Sequence, residues 1–182
     1  MSVLEPTTIQ LRSGQACLLR SAEAKDAGSL IDNMNRILRE PHAVSAPDEL
    51  VITEEMELTW IEQHRAKPGW IVIVAEVDGE LIGHVDFQTR PRRRIAHVGT
   101  VGLSVQKPWR RRGVAEALMR ELLSWAAREP GIDKIALAVF ADNQPAIALY
   151  KKLGFAWEGR RCAEIRLDDG TYVDDILMAK RV

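Results

Sequence analysis

Two cysteines are all that 182 residues contain, Cys17 and Cys162, far apart and with neither a CxxC pair nor a histidine at ligand spacing. That leaves no disulfide framework and no zinc signature, so two reduced thiols and no metal are expected. No apolar run approaches the roughly 18 residues a membrane-spanning helix requires. The opening MSVLEPTTIQLRSGQ lacks both the basic start and the apolar stretch of a secretory signal, so a cytoplasmic protein without a membrane partner is expected. Net charge is also missing: 25 Lys and Arg against 26 Asp and Glu give -1, which argues against a nucleic-acid partner. Neither common phosphate loop occurs, since there is no GxxxxGK[ST] and no GxGxxG.

What remains is 46% hydrophobic and 28% charged, a soluble globular composition long enough to bury a core. No repeat, linker or low-complexity segment divides the chain. One domain over 1–182 is expected, with 1–15 as a tail or an extra strand. Ala16 to Arg20 reads as a strand, and Ser21 is a candidate cap for a helix whose stripe is Ala27, Leu30, Ile31, Met34 and Leu38, ended by Pro41. A second helix starts after Thr53 with Glu54 and Glu55 and stops near Pro68. WIVIVAEV, an Asp78-Gly79 turn and ELIGHVDF form a hairpin signal, and a third strand runs from Ile95 to Val105.

Helix three, Gly113 to Glu129, buries Ala115, Leu118, Met119, Leu122 and Ala126 and ends at Pro130-Gly131. A strand, Lys134 to Phe140, precedes helix four, Gln144 to Leu153, with Asn143 before it and Gly154 after. Two last strands flank Asp169-Gly170. Strand, helix three and strand imply a right-handed crossover between parallel neighbours.

The most telling stretch is VGLSVQKPWRRRGVA, Val101 to Ala115: an apolar strand, a basic turn and a glycine-opened helix. The first turn of a helix has N–H groups without intrahelical partners and a positive dipole end, so it takes an anion. Gly113 lets phosphate approach the backbone, Ala115 keeps the next turn open, and Arg110, Arg111 and Arg112 add charge.

Arg110 to Ala115 resembles the Q/R-x-x-G-x-G/A signature of the GCN5-related N-acetyltransferase (GNAT) superfamily, and LAVFADNQPAIALYKKLGF, Leu137 to Phe155, resembles its second block. The resemblance runs from Trp70 to the C-terminus. It implies an α/β fold: a mixed, mostly antiparallel sheet with a splayed parallel strand pair and flanking helices. It also implies acetyl-CoA as co-substrate, a small-molecule amine or peptide N-terminus as acceptor, direct attack in a ternary complex and compatibility with a homodimer.

By the same resemblance the cofactor contacts are Leu103, Ser104 and Val105 for pantetheine, Arg110, Arg111, Arg112, Gly113, Val114 and Ala115 for pyrophosphate, with Asn143 and Ala146. Tyr150 is the general-acid candidate, because a phenol stays protonated at neutral pH and can give its proton to a departing thiolate. The base is open. The position where some family members carry glutamate falls on Gly99; His97 is the leading candidate, ahead of His84, Asp86, Glu54 and Glu55. Two rival readings stand beside the enzyme. One is a silent acetyl-CoA sensor. The other is an anion- or nucleic-acid-binding module using Thr89 to Arg94, TRPRRR, which otherwise reads as a solvated loop.

Overall fold

The computed structural model describes residues 3–182. In chain order they form β1 (Thr7–Gln10), β2 (Ala16–Ser21), α1 (Ala27–Ile37), α2 (Glu54–Ala66), β3 (Trp70–Val77), β4 (Glu80–Thr89) and β5 (Val98–Val105). Then follow α3 (Val114–Ala126), β6 (Lys134–Phe140), α4 (Gln144–Lys152), β7 (Ala156–Arg166) and β8 (Tyr172–Arg181). One eight-stranded sheet has the order β1-β2-β3-β4-β5-β6-β8-β7, antiparallel at every pairing except β5 with β6.

Local chemistry accounts for most of these boundaries. Asp78 and Gly79 take positive φ, 51° and 82°, and close the β3–β4 hairpin with the right-handed twist such two-residue loops require. Thr53 caps α2 by accepting from the Met56 N–H at 3.3 Å. The start of α1 departs from the sequence expectation. Ser21 is still in β2, where its hydroxyl accepts the Leu4 N–H at 2.8 Å; the cap is a reciprocal box between Glu23 and Asp26 around a short 3-10 turn. Buried Arg20 pairs with Asp26 and Glu76, both at 2.7 Å, and so ties the beginning of α1 to β2 and β3. The third strand of the meander begins at Val98 rather than Ile95, because Arg93–Ile95 form a 3-10 turn and Arg90 N–H already reaches Val98 O at 3.0 Å.

The parallel pair is short. Val98, Gly99 and Thr100 lie opposite Lys134, Ile135 and Ala136; beyond them β5 pairs only with β4, and β6 only with β8. The two strands therefore splay, and the backbone of Val101 to Val105 has a free edge facing the wedge. The sheet has a core on each face. On one, α3 and α4 bury Leu118, Met119, Leu122 and Ile147 against Val85, Phe87 and Ile135; on the other, α1 and α2 bury Leu30 and Ile61 against Val72, Val74 and Leu81. Among the described residues Cys17 is buried and Cys162 exposed, both free, and no helix is long and apolar enough to cross a membrane.

Candidate active site

The basic turn after β5 delivers the chain into α3 through two left-handed residues, Arg111 at φ 61° and Gly113 at φ 96°. A methyl group on Gly113 would meet nothing nearer than Arg12 Cγ at 3.9 Å, so the space over the helix start is open. There the first N–H groups of α3, those of Val114 and Ala115 among them, point out of the helix without intrahelical acceptors. An anion the size of a phosphate fits this arrangement. The arginines divide. Arg110 donates to Val105 O at 2.9 Å and to Glu40 at 2.7 Å, while Arg112 lies over the Trp109 ring at 5.0 Å and donates to Gln15 at 3.3 Å. Arg111 is exposed and its side chain has no partner among the described residues. What this turn presents to an anion is backbone N–H groups more than three free guanidinium groups.

Along the wedge, side chains alternate. Leu103 packs into the α3 core, whereas Ser104 turns to the α1 side and binds His84 and Asn33, so what β5 offers the wedge is its backbone. Asn143 is a working helix cap, its Oδ1 accepting the Ala146 N–H at 3.3 Å. Tyr150 is buried in the α3–α4 core beside Phe155, ring centroids 5.8 Å apart, and its hydroxyl has no protein partner among the described residues. Burial pushes its pKa up to about 12, which keeps the phenol protonated.

Behind β5, on the α1–α2 face, lies a cleft of about 390 Å³ lined by Leu30, Met34, Met56 and Trp60 together with three ionisable groups, Glu57, His84 and Asp86. The volume suits a small molecule. Asp86 stands opposite Gly102 and its carboxylate leans across that residue, so a methyl group at 102 would collide with Asp86 Oδ1. Burial pushes the Asp86 carboxyl up to about 6, against the backbone N–H groups of Asp86 and Gly102 that pull it down. Glu57 is raised too, by burial and then by the charge of Asp86. His84 is the reverse case: burial lowers it to about 4, so it is neutral.

Several sequence candidates fall elsewhere. His97 is exposed, outside β5, and six residues before Leu103, roughly 20 Å at the strand rise, so the structure does not bring it to the wedge. The space at Gly99 is filled by the Phe87 ring, so that position is core. Glu54 and Glu55 are exposed in the first turn of α2, while Glu57, one turn further on, is buried with Ile61 and His64. That i, i+4, i+7 stripe was the available signal. Arg92, Arg93 and Arg94 are exposed, as a solvated loop would be. The loop after α1 reaches the wedge at both sides, through Glu40 on Arg110 and through His42, which lies 3.3 Å from Asp142 and edge-on to Phe140.

Known proteins resemble this arrangement. The model of the acetyltransferase (GNAT) family matches residues 31–155. An L-amino acid N-acetyltransferase, AaaT, of Escherichia coli (strain K12) is 37% identical over 165 residues, 90% of this chain and 96% of that one. A GNAT-family acetyltransferase from Streptococcus pneumoniae superposes with a TM-score of 0.88 at 27% identity, covering 91% of this chain and 99% of its own. A GNAT superfamily phosphinothricin acetyltransferase from Sinorhizobium meliloti, solved in complex with acetyl-CoA, shares the fold with a TM-score of 0.81 at 20% identity, covering 91% and 88%.

Proposed function

This chain belongs to the GNAT acetyltransferase family, and from that premise we propose that it transfers an acetyl group from acetyl-CoA to the primary amine of a small acceptor, both being held at once. The observation that carries the reading is the position of Asp86: a buried carboxylate, ionised above about pH 6, lying across Gly102 beside the free edge of β5.

The residues present suit acetyl-CoA. The α3 N-terminus with Gly113, Val114 and Ala115 holds the pyrophosphate, assisted by Arg111; the backbone of Leu103, Ser104 and Val105 pairs with the amide-bearing pantetheine arm as a strand edge does with a peptide. Asn143 and Ala146 flank the same wedge from α4. When bound, acetyl-CoA supplies an activated acyl carbon and a thiolate leaving group.

Every other step falls to the chain. An alkylammonium has no lone pair, so a base must take its proton. Asp86 does this, its carboxylate made more basic by burial, with Glu57 adding negative charge that draws the cation into the cleft. Tyr150, on the α3–α4 side of the sheet and held protonated, gives its proton to the leaving sulfur as the C–S bond breaks, and is reprotonated by the second proton that the nitrogen sheds when the amide forms. A backbone N–H near Leu103 polarises the acyl carbonyl. The apolar lining of Leu30, Met34, Met56 and Trp60 favours an acceptor with an apolar body, and the Escherichia coli relative, whose name gives L-amino acids as its substrates, supports an amino acid.

Calorimetric titration with acetyl-CoA followed by mass spectrometry of products from a panel of amino acids, polyamines and N-terminal peptides tests this. Tight binding with an N-acetylated product from one amine class is expected. Binding without any acetylated amine contradicts the transferase reading and leaves a sensor.

A further inference from the structure

The cleft holds a histidine whose proton is placed by its neighbours. Asn33 of α1 is completely buried; its Nδ2 donates to Ser104 Oγ at 2.7 Å and reaches His84 Nδ1 at 3.2 Å, and Ser104 Oγ lies 3.1 Å from the same Nδ1. An amide nitrogen only donates, and so Nδ1 must accept. Turning the amide over would bring its oxygen to both groups and would put its two N–H donors where Oδ1 now lies, buried and without a hydrogen-bond partner. As placed, one buried acceptor, Asn33 Oδ1, goes without a partner. Orphaned buried N–H groups are the rarer and costlier case.

With Nδ1 an acceptor, the proton of the neutral ring sits on Nε2. That nitrogen has no protein partner among the described residues, and the ring lines the acceptor cleft two residues from Asp86 on the same face of β4. We infer that Asn33 and Ser104 fix His84 as an Nε2–H donor, and that this donor holds an oxygen on the carbon next to the one bearing the amine, the α-carboxyl or α-carbonyl oxygen of an amino acid or peptide N-terminus. Asp86 then faces the nitrogen of the acceptor and His84 its oxygen. This gives α-amino acids an advantage over plain alkylamines that the apolar lining cannot. The cleft holds no Arg or Lys among its lining residues to do the same. The inference rests on the reading of this cleft as the acceptor site.

Two measurements test it. Long-range proton–nitrogen correlation spectra of the ¹⁵N-histidine-labelled wild-type protein report the His84 tautomer directly and need no variant. Nε2–H is expected, and Nδ1–H overturns the proposal. Second, kcat/KM is compared for leucine, leucinamide and 3-methylbutylamine, which lacks the oxygen. Wild type should prefer leucine to 3-methylbutylamine by roughly 10- to 100-fold, the value of one hydrogen bond to a charged group. In His84→Leu that ratio should collapse toward one, and His84→Gln, which restores an N–H, should recover part of it. Leucinamide matching leucine identifies a neutral carbonyl as the target; leucinamide falling behind identifies the carboxylate. An unchanged ratio in His84→Leu overturns the proposal, whereas failure to acetylate any of the three amines overturns the acceptor-site reading instead.

Discussion

Asp86 and Gly102 face each other across β4 and β5, and the carboxylate occupies the space that a side chain at 102 would need. Glycine at that position is therefore a steric condition for the carboxylate to lie over the free strand edge. Gly102→Ala should displace the carboxylate and lower kcat roughly 10- to 100-fold, the scale on which an ångström of misplacement acts. Steady-state kinetics with a circular dichroism control check this; a fully active, folded Gly102→Ala would show that the carboxylate position is unimportant.

Asp86 should trade stability for activity. Its carboxyl rises from 3.8 to about 6 on folding, so the wild-type protein loses stability as pH climbs through that interval and the buried group must ionise. Asp86→Asn avoids the charge and should be more stable by up to about 3 kcal/mol at pH 8, with the difference shrinking toward pH 4. Urea unfolding at the two pH values measures it.

Tyr150→Phe should lower kcat by about 100-fold or more, the usual contribution of a general acid, and leave the acetyl-CoA Kd unchanged. Because the hydroxyl has no protein partner among the described residues, the variant should not be destabilised. Loss of Tm together with kcat would instead indicate a structural hydroxyl.

At Gly113 two effects separate. The space over it is open, so Gly113→Ala meets only the left-handed penalty of φ 96°, roughly 1–2 kcal/mol. Gly113→Glu adds a carboxylate at the anion site and should weaken acetyl-CoA binding at least tenfold beyond the alanine variant. Calorimetry on both variants separates strain from repulsion.

The parts legible in the sequence were those set by local chemistry. The Asp78-Gly79 turn, the start of α2 after Thr53, β6 at Lys134–Phe140 and the glycine-opened α3 follow from residues within a few positions of one another. The splay, expected from family resemblance, is visible in the three-pair β5–β6 register. The cleft on the α1–α2 face was not legible in the same way. His84, Asp86, Glu57 and Asn33 come from three elements, and their meeting depends on how α1 and α2 dock on the sheet through Arg20, Leu30 and Ile61. His97, the leading base candidate in the sequence, lies beyond the strand because the chain forms a 3-10 turn at Arg93–Ile95 before β5 begins.

Whether Asp86 is the base is decided by the pH dependence of kcat/KM for the acceptor in wild type and Asp86→Asn, with thiol release as the readout. An acid limb with an apparent pKa near 6 is expected in wild type. That limb should be absent from the much slower variant, leaving only the ionisation of the amine itself. A limb that persists unchanged in Asp86→Asn, or a variant as fast as wild type, would contradict that role.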